Sequence, residues 1–211
     1  MKDAYLSIAG EARAVYRDRG SRFIGIVIPV GSEEEIRENL ERFRKEFHDA
    51  RHHCYAYRLG PDGLQWRVND DGEPAGSAGK PILGQLLSAG VSDVLALVVR
   101  YFGGTKLGVP GLIQAYKTSV REALSDAGMA TKVLMTRLRV EFGFEQMNPV
   151  MKCLKEISPE IIKNQYDTQC MMEIRVRASL AESCMDRLNS LEGVKCRNMD
   201  EALALTKFSD N

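Results

Sequence analysis

Asp70–Lys80 reads DDGEPAGSAGK, which puts three carboxylates, three glycines, a serine and a lysine in one short run. Acids grouped like Asp70, Asp71 and Glu73 can hold Mg²⁺ against a phosphate. More commonly such acids form turns, their oxygens taking nearby backbone N–H groups. The tail GSAGKP is similar to the end of a phosphate-binding loop. That motif needs glycine where this chain has Pro74, and a hydroxyl residue where it has Pro81, so a nucleotide hydrolase of that type is disfavoured. AGSAG around Ser77 is similar to a nucleophile elbow, but Ala75 stands at a glycine position and no buried strand leads into it. A second run, RYFGGTKLG, carries Arg100, Tyr101, Gly103, Gly104, Lys106 and Gly108. Both runs lead into helices, where free N–H groups and the helix dipole favour an anion. Close packing of backbone against backbone needs glycine equally. Anion binding and tight packing therefore both stand as readings of Gly76, Gly79, Gly103 and Gly104, with Lys80, Arg100 and Lys106 as the cations.

All three histidines, His48, His52 and His53, fall close together, and His52 shares a strand face with Cys54. A zinc site wants three or four protein ligands. No second ligand set is present, so a structural His–Cys pair is expected and no metal or cofactor.

These groups need a scaffold. Arg22–Val30 (RFIGIVIPV) is rich in β-branched residues and reads as a strand. Ser32 and Glu35 form a capping box, and Ile36, Leu40, Phe43 and Phe47 mark the apolar face of the helix that follows. A strand from His52 and a partner over Leu64–Val68 flank the turn Pro61–Gly63. A short helix is expected from Pro81 to the stop at Gly90, and a longer one from Pro110 to about Ala127. Between them Asp93–Tyr101 is the most apolar strand and is expected at the sheet centre. After Gly128 the order is β-α-β-β-α-β, with a first strand over 131–142 and a last over 194–206, the ferredoxin-like motif. Two domains are expected, 1–128 and 129–211.

The chain has 211 residues, 44% of them apolar and 27% charged, with 29 basic residues against 29 acidic. This is an ordinary globular composition. Its neutrality argues against a nonspecific coat for nucleic acid, which carries a basic excess. Arg13, Arg17, Arg19 and Arg22 are grouped locally, and a solvated edge strand is the favoured reading. No apolar run reaches the roughly 20 residues a membrane helix needs. The first residues lack the apolar stretch of a secretory signal. Five scattered cysteines fit reduced thiols. A cytoplasmic location is expected, with no membrane partner and no DNA specificity.

ARHHCYAYRLG, DDGEPAGSAGKPIL and VVRYFGGTKLGVPGLIQAY, in that order, resemble the IMPACT/YigZ family. The resemblance spans nearly the whole chain and implies an α+β protein of two domains. The first would be a ribosomal-protein-S5-domain-2-like β-α domain, the second a ferredoxin-like βαββαβ domain. Eukaryotic relatives regulate translation in the general-control kinase pathway. The matching positions are His52, Asp71, Glu73, Pro74, Gly76, Gly79, Arg100, Tyr101, Gly103, Gly104, Lys106 and Gly108. Ser77 replaces a frequent threonine, and Pro110 removes one backbone N–H from the second helix start. The expected function is a noncatalytic regulatory or binding role linked to translation, with RNA, the ribosome or a protein as partner. The alternative is an enzyme acting on a phosphorylated or nucleotide substrate, with Asp71 or Glu73 as base or metal ligand and Lys80 and Arg100 as phosphate clamps.

Overall fold

A computed structural model describes residues 3–167 and 169–200. The chain divides into two compact units, one from Ala4 to Lys132 and one that begins at Val133 and takes in Asp3. The elements of the first are β1 (Ala4–Ile8), β2 (Ala12–Asp18), β3 (Ser21–Pro29), α1 (Glu33–Glu46), β4 (His52–Leu59), β5 (Gln65–Asn69), α2 (Gly79–Ala89), β6 (Val94–Tyr101), α3 (Gly108–Ala127) and β7 (Met129–Val133).

Five strands form one antiparallel sheet in the order β2-β3-β6-β4-β5. β6 lies at its centre because both faces of VLALVVR are apolar. Val94, Ala96 and Val98 pack with α2 and α3, while Leu95, Leu97 and Val99 join the core with α1. Alternate residues thus serve opposite layers. α3 presses closely on β3: a Cβ at Gly25 would lie 2.3 Å from the Ser119 carbonyl oxygen.

Local chemistry sets the helix ends. The Ser32 hydroxyl accepts from the Glu35 N–H at 3.2 Å. Glu35 in turn accepts from the Gly31 N–H, one residue before the usual capping-box partner. Ile36 and Phe43 of α1 are buried, with Leu40 and Phe47 packed beside them. α2 and α3 start at Gly79 and Gly108, each two residues ahead of the expected proline. Proline at the third helical position still costs no intrahelical bond, since that N–H is unpaired anyway.

One other expectation changes. The single strand expected over 131–142 breaks at Leu134. Its first part, β7, pairs with β1, and its second part is β8 (Met135–Phe142) in the other unit. The grouped arginines follow the favoured reading, since β2 is the edge strand of its sheet. Arg13 is held by Glu11 and Glu46, and the Arg22 guanidinium sits 4.3 Å from the Tyr101 ring centroid.

The second unit continues with α4 (Met147–Ile157), β9 (Glu160–Tyr166), β10 (Cys170–Arg177), α5 (Ala178–Asn189) and β11 (Lys195–Asn198). Its sheet order, β11-β8-β10-β9 with every neighbour antiparallel, is the ferredoxin-like arrangement. Leu138, Val140, Met172 and Ile174 face Val150, Leu154 and Leu188 of the helices. Across the other face Arg139 pairs with Glu173, its direct partner in the register, at 2.8 Å. The part of the last expected strand over 201–206 lies outside the described residues.

Candidate functional site

The acidic run closes on itself. The Asp70 carboxylate accepts from the N–H groups of Gly76 (2.8 Å), Ala78 (3.0 Å) and Gly79 (2.8 Å). The last two belong to the start of α2, so the anion that this helix start attracts is the chain's own. The Asp71 carboxylate accepts from the His53 N–H at 2.6 Å. The Ser77 hydroxyl, fully buried, donates to the Pro74 carbonyl at 2.7 Å, so it is not presented as a nucleophile. The turn-forming reading therefore describes Asp70 and Asp71, and the open phosphate cradle at this loop is corrected.

Burial opposes ionisation of Asp70, but its three backbone donors and Lys80 hold the carboxyl below the usual carboxylate range. A group with a lowered folded pKa adds stability above its unfolded value, near 4, and loses it as pH falls through the folded value. Asp70→Ala should cost about 1–2 kcal/mol at neutral pH, as lost helix caps do. As pH falls through the lowered folded value the difference from wild type should shrink. Urea unfolding at pH 7 and over a series of falling acid pH checks both; a gap that stays equal down to acid unfolding contradicts the capping role.

The expected His52–Cys54 pair is replaced by two separate contacts with the loop. His52 Nδ1 lies 2.8 Å from the Asp71 carbonyl, and Cys54 Sγ is 3.0 Å from that of Asp70. Burial pushes the Cys54 thiol up to about 12, so it stays protonated and is no nucleophile at neutral pH. Among the described residues no cluster of three or more His, Cys, Asp or Glu is placed to hold a metal.

Glu73 leaves the loop in another direction. Arg100 Nη1 donates to Glu73 Oε1 at 2.5 Å, and the Tyr116 hydroxyl donates to the same oxygen at 2.8 Å. Cys54 Sγ lies 3.3 Å from the Tyr116 hydroxyl, extending the chain of contacts into the core. The Glu73 and Arg100 side chains are only 3% and 8% exposed. This is a buried ion pair that joins the first loop to β6 and α3.

Beside the pair opens a cavity of about 420 Å³. Arg51, His52, Glu73, Arg100 and Lys106 supply its ionisable side chains, and Phe102, Leu107 and Leu112 its main apolar wall. Pro74 and the first residues of α3, Gly108 and Val109, complete it. This helix start has no side-chain cap and no acidic residue in its first turn; α2 shares both features, but there Asp70 of the preceding loop takes the first N–H groups. Arg100 Nε is buried without a hydrogen-bond partner. Phe102 is 55% exposed, with the Arg100 guanidinium 5.6 Å from its ring centroid.

The expected site residues thus separate. His52, Glu73, Arg100 and Lys106 meet in the cavity. Asp71, Lys80 and Tyr101 do not line it; Tyr101 instead donates to Asp49 at 2.7 Å. Gly76 and Gly79 serve the Asp70 cap. Gly103 packs on the β2–β3 turn, where its Cβ would lie 1.9 Å from the Gly20 carbonyl carbon. Gly104 has open space around it. Sequence reasoning missed Arg51, although a basic residue just ahead of a strand that carries His52 was a usable signal. The Tyr116 hydroxyl contact with Glu73 is revealed only by the fold.

A β-rich sheet with helices on both faces, a loop-lined cavity and a ferredoxin-like second unit define a two-domain α+β protein. The Impact N-terminal domain matches residues 19–124, and the chain belongs to the IMPACT family. It is 34% identical to IMPACT family member YigZ of Escherichia coli over 179 residues, covering 84% of this chain and 88% of that protein. It is 37% identical to IMPACT family member YvyE of Bacillus subtilis over 158 residues, 74% of this chain and 72% of the relative. A crystal structure of "an hypothetical protein" superposes with a TM-score of 0.71 at 32% identity, covering 93% of this chain and 97% of the other. Among the described residues no helix is long and apolar enough to cross a membrane.

Proposed function

We propose that the protein is a noncatalytic regulatory factor linked to translation that binds RNA at the β6–α3 face of its first unit. The observation that carries this reading is the cavity at the start of α3. Arg51, Arg100 and Lys106 converge there beside the exposed ring of Phe102. Cations that take phosphate, next to an exposed aromatic ring that takes a base, are the parts a single-strand binding surface needs. Family membership supports the link to translation. The zero net charge fits a local site rather than a charged coat.

The geometry gives less support to an enzyme. Of Asp71, Glu73, Lys80 and Arg100, only Glu73 and Arg100 line the cavity, and they neutralise each other. Asp71 is committed to the His53 N–H. A general base needs a free oxygen within reach of substrate, and Glu73 Oε1 already accepts two hydrogen bonds.

The test is fluorescence anisotropy of the full chain with labelled single-stranded RNA over a salt series. Binding should be strongest at low salt and weaken linearly on a log–log scale. No binding at the lowest salt overturns the RNA reading.

A further inference from the structure

We infer that the cavity at the start of α3 is a seat for a terminal phosphomonoester, so that the protein takes an RNA by its phosphorylated end rather than along its backbone. The inference rests on the RNA reading above and specifies what that site recognises.

Two independent observations carry it. The first is the contrast between the two helix starts that follow the glycine-rich loops. The N–H groups of α2 are taken by Asp70. α3 has no side-chain cap and no first-turn acid, and its leading residues Gly108 and Val109 line the cavity. Pro110, third in the helix, lacks an N–H, so the donors that remain are those of Leu107, Gly108 and Val109, all at the cavity wall. The second is Arg100. It lines the same cavity and is only 7% exposed, with Nη1 taken by Glu73. A guanidinium carries five N–H donors, so Glu73 leaves others for a phosphate oxygen at the cavity wall.

The charge and the shape select the form of phosphate. Glu73 cancels Arg100, which leaves Arg51, Lys106 and the positive end of α3 to balance the ligand. That positive excess matches a phosphomonoester, which carries close to two negative charges at neutral pH, better than a diester with one. A phosphate inside a strand has a nucleotide on both sides. A phosphate that reaches a side chain as withdrawn as Arg100 is more easily delivered by an end with one substituent. About 420 Å³ suits one nucleotide, with the phosphate at the helix start and the base against Phe102.

The experiment compares short RNAs of one sequence ending in a 5′-phosphate, a 3′-phosphate or hydroxyls only. Adenosine monophosphate and inorganic phosphate serve as competitors. One phosphorylated end should bind at least tenfold tighter than the hydroxyl-ended RNA. Arg51→Ala and Lys106→Ala, both at exposed positions, should erase that difference while melting like wild type. If all three RNAs bind alike, the end-recognition proposal fails and the RNA reading stands. If no RNA binds but the monophosphate or phosphate does, in a manner lost with Lys106→Ala, the monoester seat stands and the RNA reading falls. If nothing binds, both fall.

Discussion

Glu73→Ala will destabilise the first unit by about 3–5 kcal/mol, the usual effect of stripping one partner from a buried ion pair. The substitution removes a side chain only 3% exposed and leaves Arg100, 8% exposed, with its charge uncompensated. The Tyr116 hydroxyl loses its acceptor as well. A domain is stable by only about 5–15 kcal/mol, so this one change uses a large share of the margin. Urea unfolding followed by circular dichroism measures it. The double variant Glu73→Ala/Arg100→Met should recover part of the loss, because no unpaired charge then remains buried. A loss below 1 kcal/mol for Glu73→Ala, or strict additivity in the double variant, contradicts the role assigned to the pair.

Gly103→Ala will cost about 3 kcal/mol, the upper end of overpacking effects. The added methyl would meet backbone on the facing turn, 1.9 Å from the Gly20 carbonyl carbon and 2.2 Å from the Ser21 nitrogen. Neither neighbour is a side chain that can turn away. The Gly103 N–H is moreover already given to the Ser21 hydroxyl at 3.1 Å. Propensity alone points the other way, since alanine orders the chain more cheaply than glycine. Packing wins because both contacts are far inside van der Waals distance. The two readings of this glycine differ in outcome. If it served mainly to admit a phosphate, Gly103→Ala would weaken RNA binding and leave unfolding unchanged. The tight-packing account predicts a lower denaturation midpoint even without RNA.

Much of the scaffold was legible because its signals are local or periodic. Asp93–Tyr101 is apolar at both parities and forms the central strand. The four apolar residues from Ile36 to Phe47 form the inner face of α1. The order of elements after Gly128 was enough for the ferredoxin-like half. Strand ends read less well: Leu134 breaks a continuous β pattern because the residues on its two sides pair with different sheets, a non-local choice. In the candidate site, residue types were a poor guide to partners. Asp70, Asp71 and Glu73 are adjacent acids, yet one caps a helix, one holds a strand N–H and one enters a buried ion pair. Lys80 and Lys106 occupy similar places after glycines, yet only Lys106 lines the cavity. The difference lies at Asp70, which satisfies one helix start and has no counterpart at the other. No spacing rule within the loop specifies that closure.

The central claim is that the cavity where α3 begins holds the phosphate contacts of a bound RNA. The most direct measurement is the salt dependence of RNA affinity for wild type and for Arg51→Ala/Lys106→Ala. On a single strand each neutralised phosphate contributes about 0.7 to the slope of log affinity against log salt. The double variant should bind more weakly at low salt, with a slope shallower by about 1.4 and an unchanged melting temperature. Equal affinity and equal slope in the two proteins would place the RNA elsewhere and contradict the account.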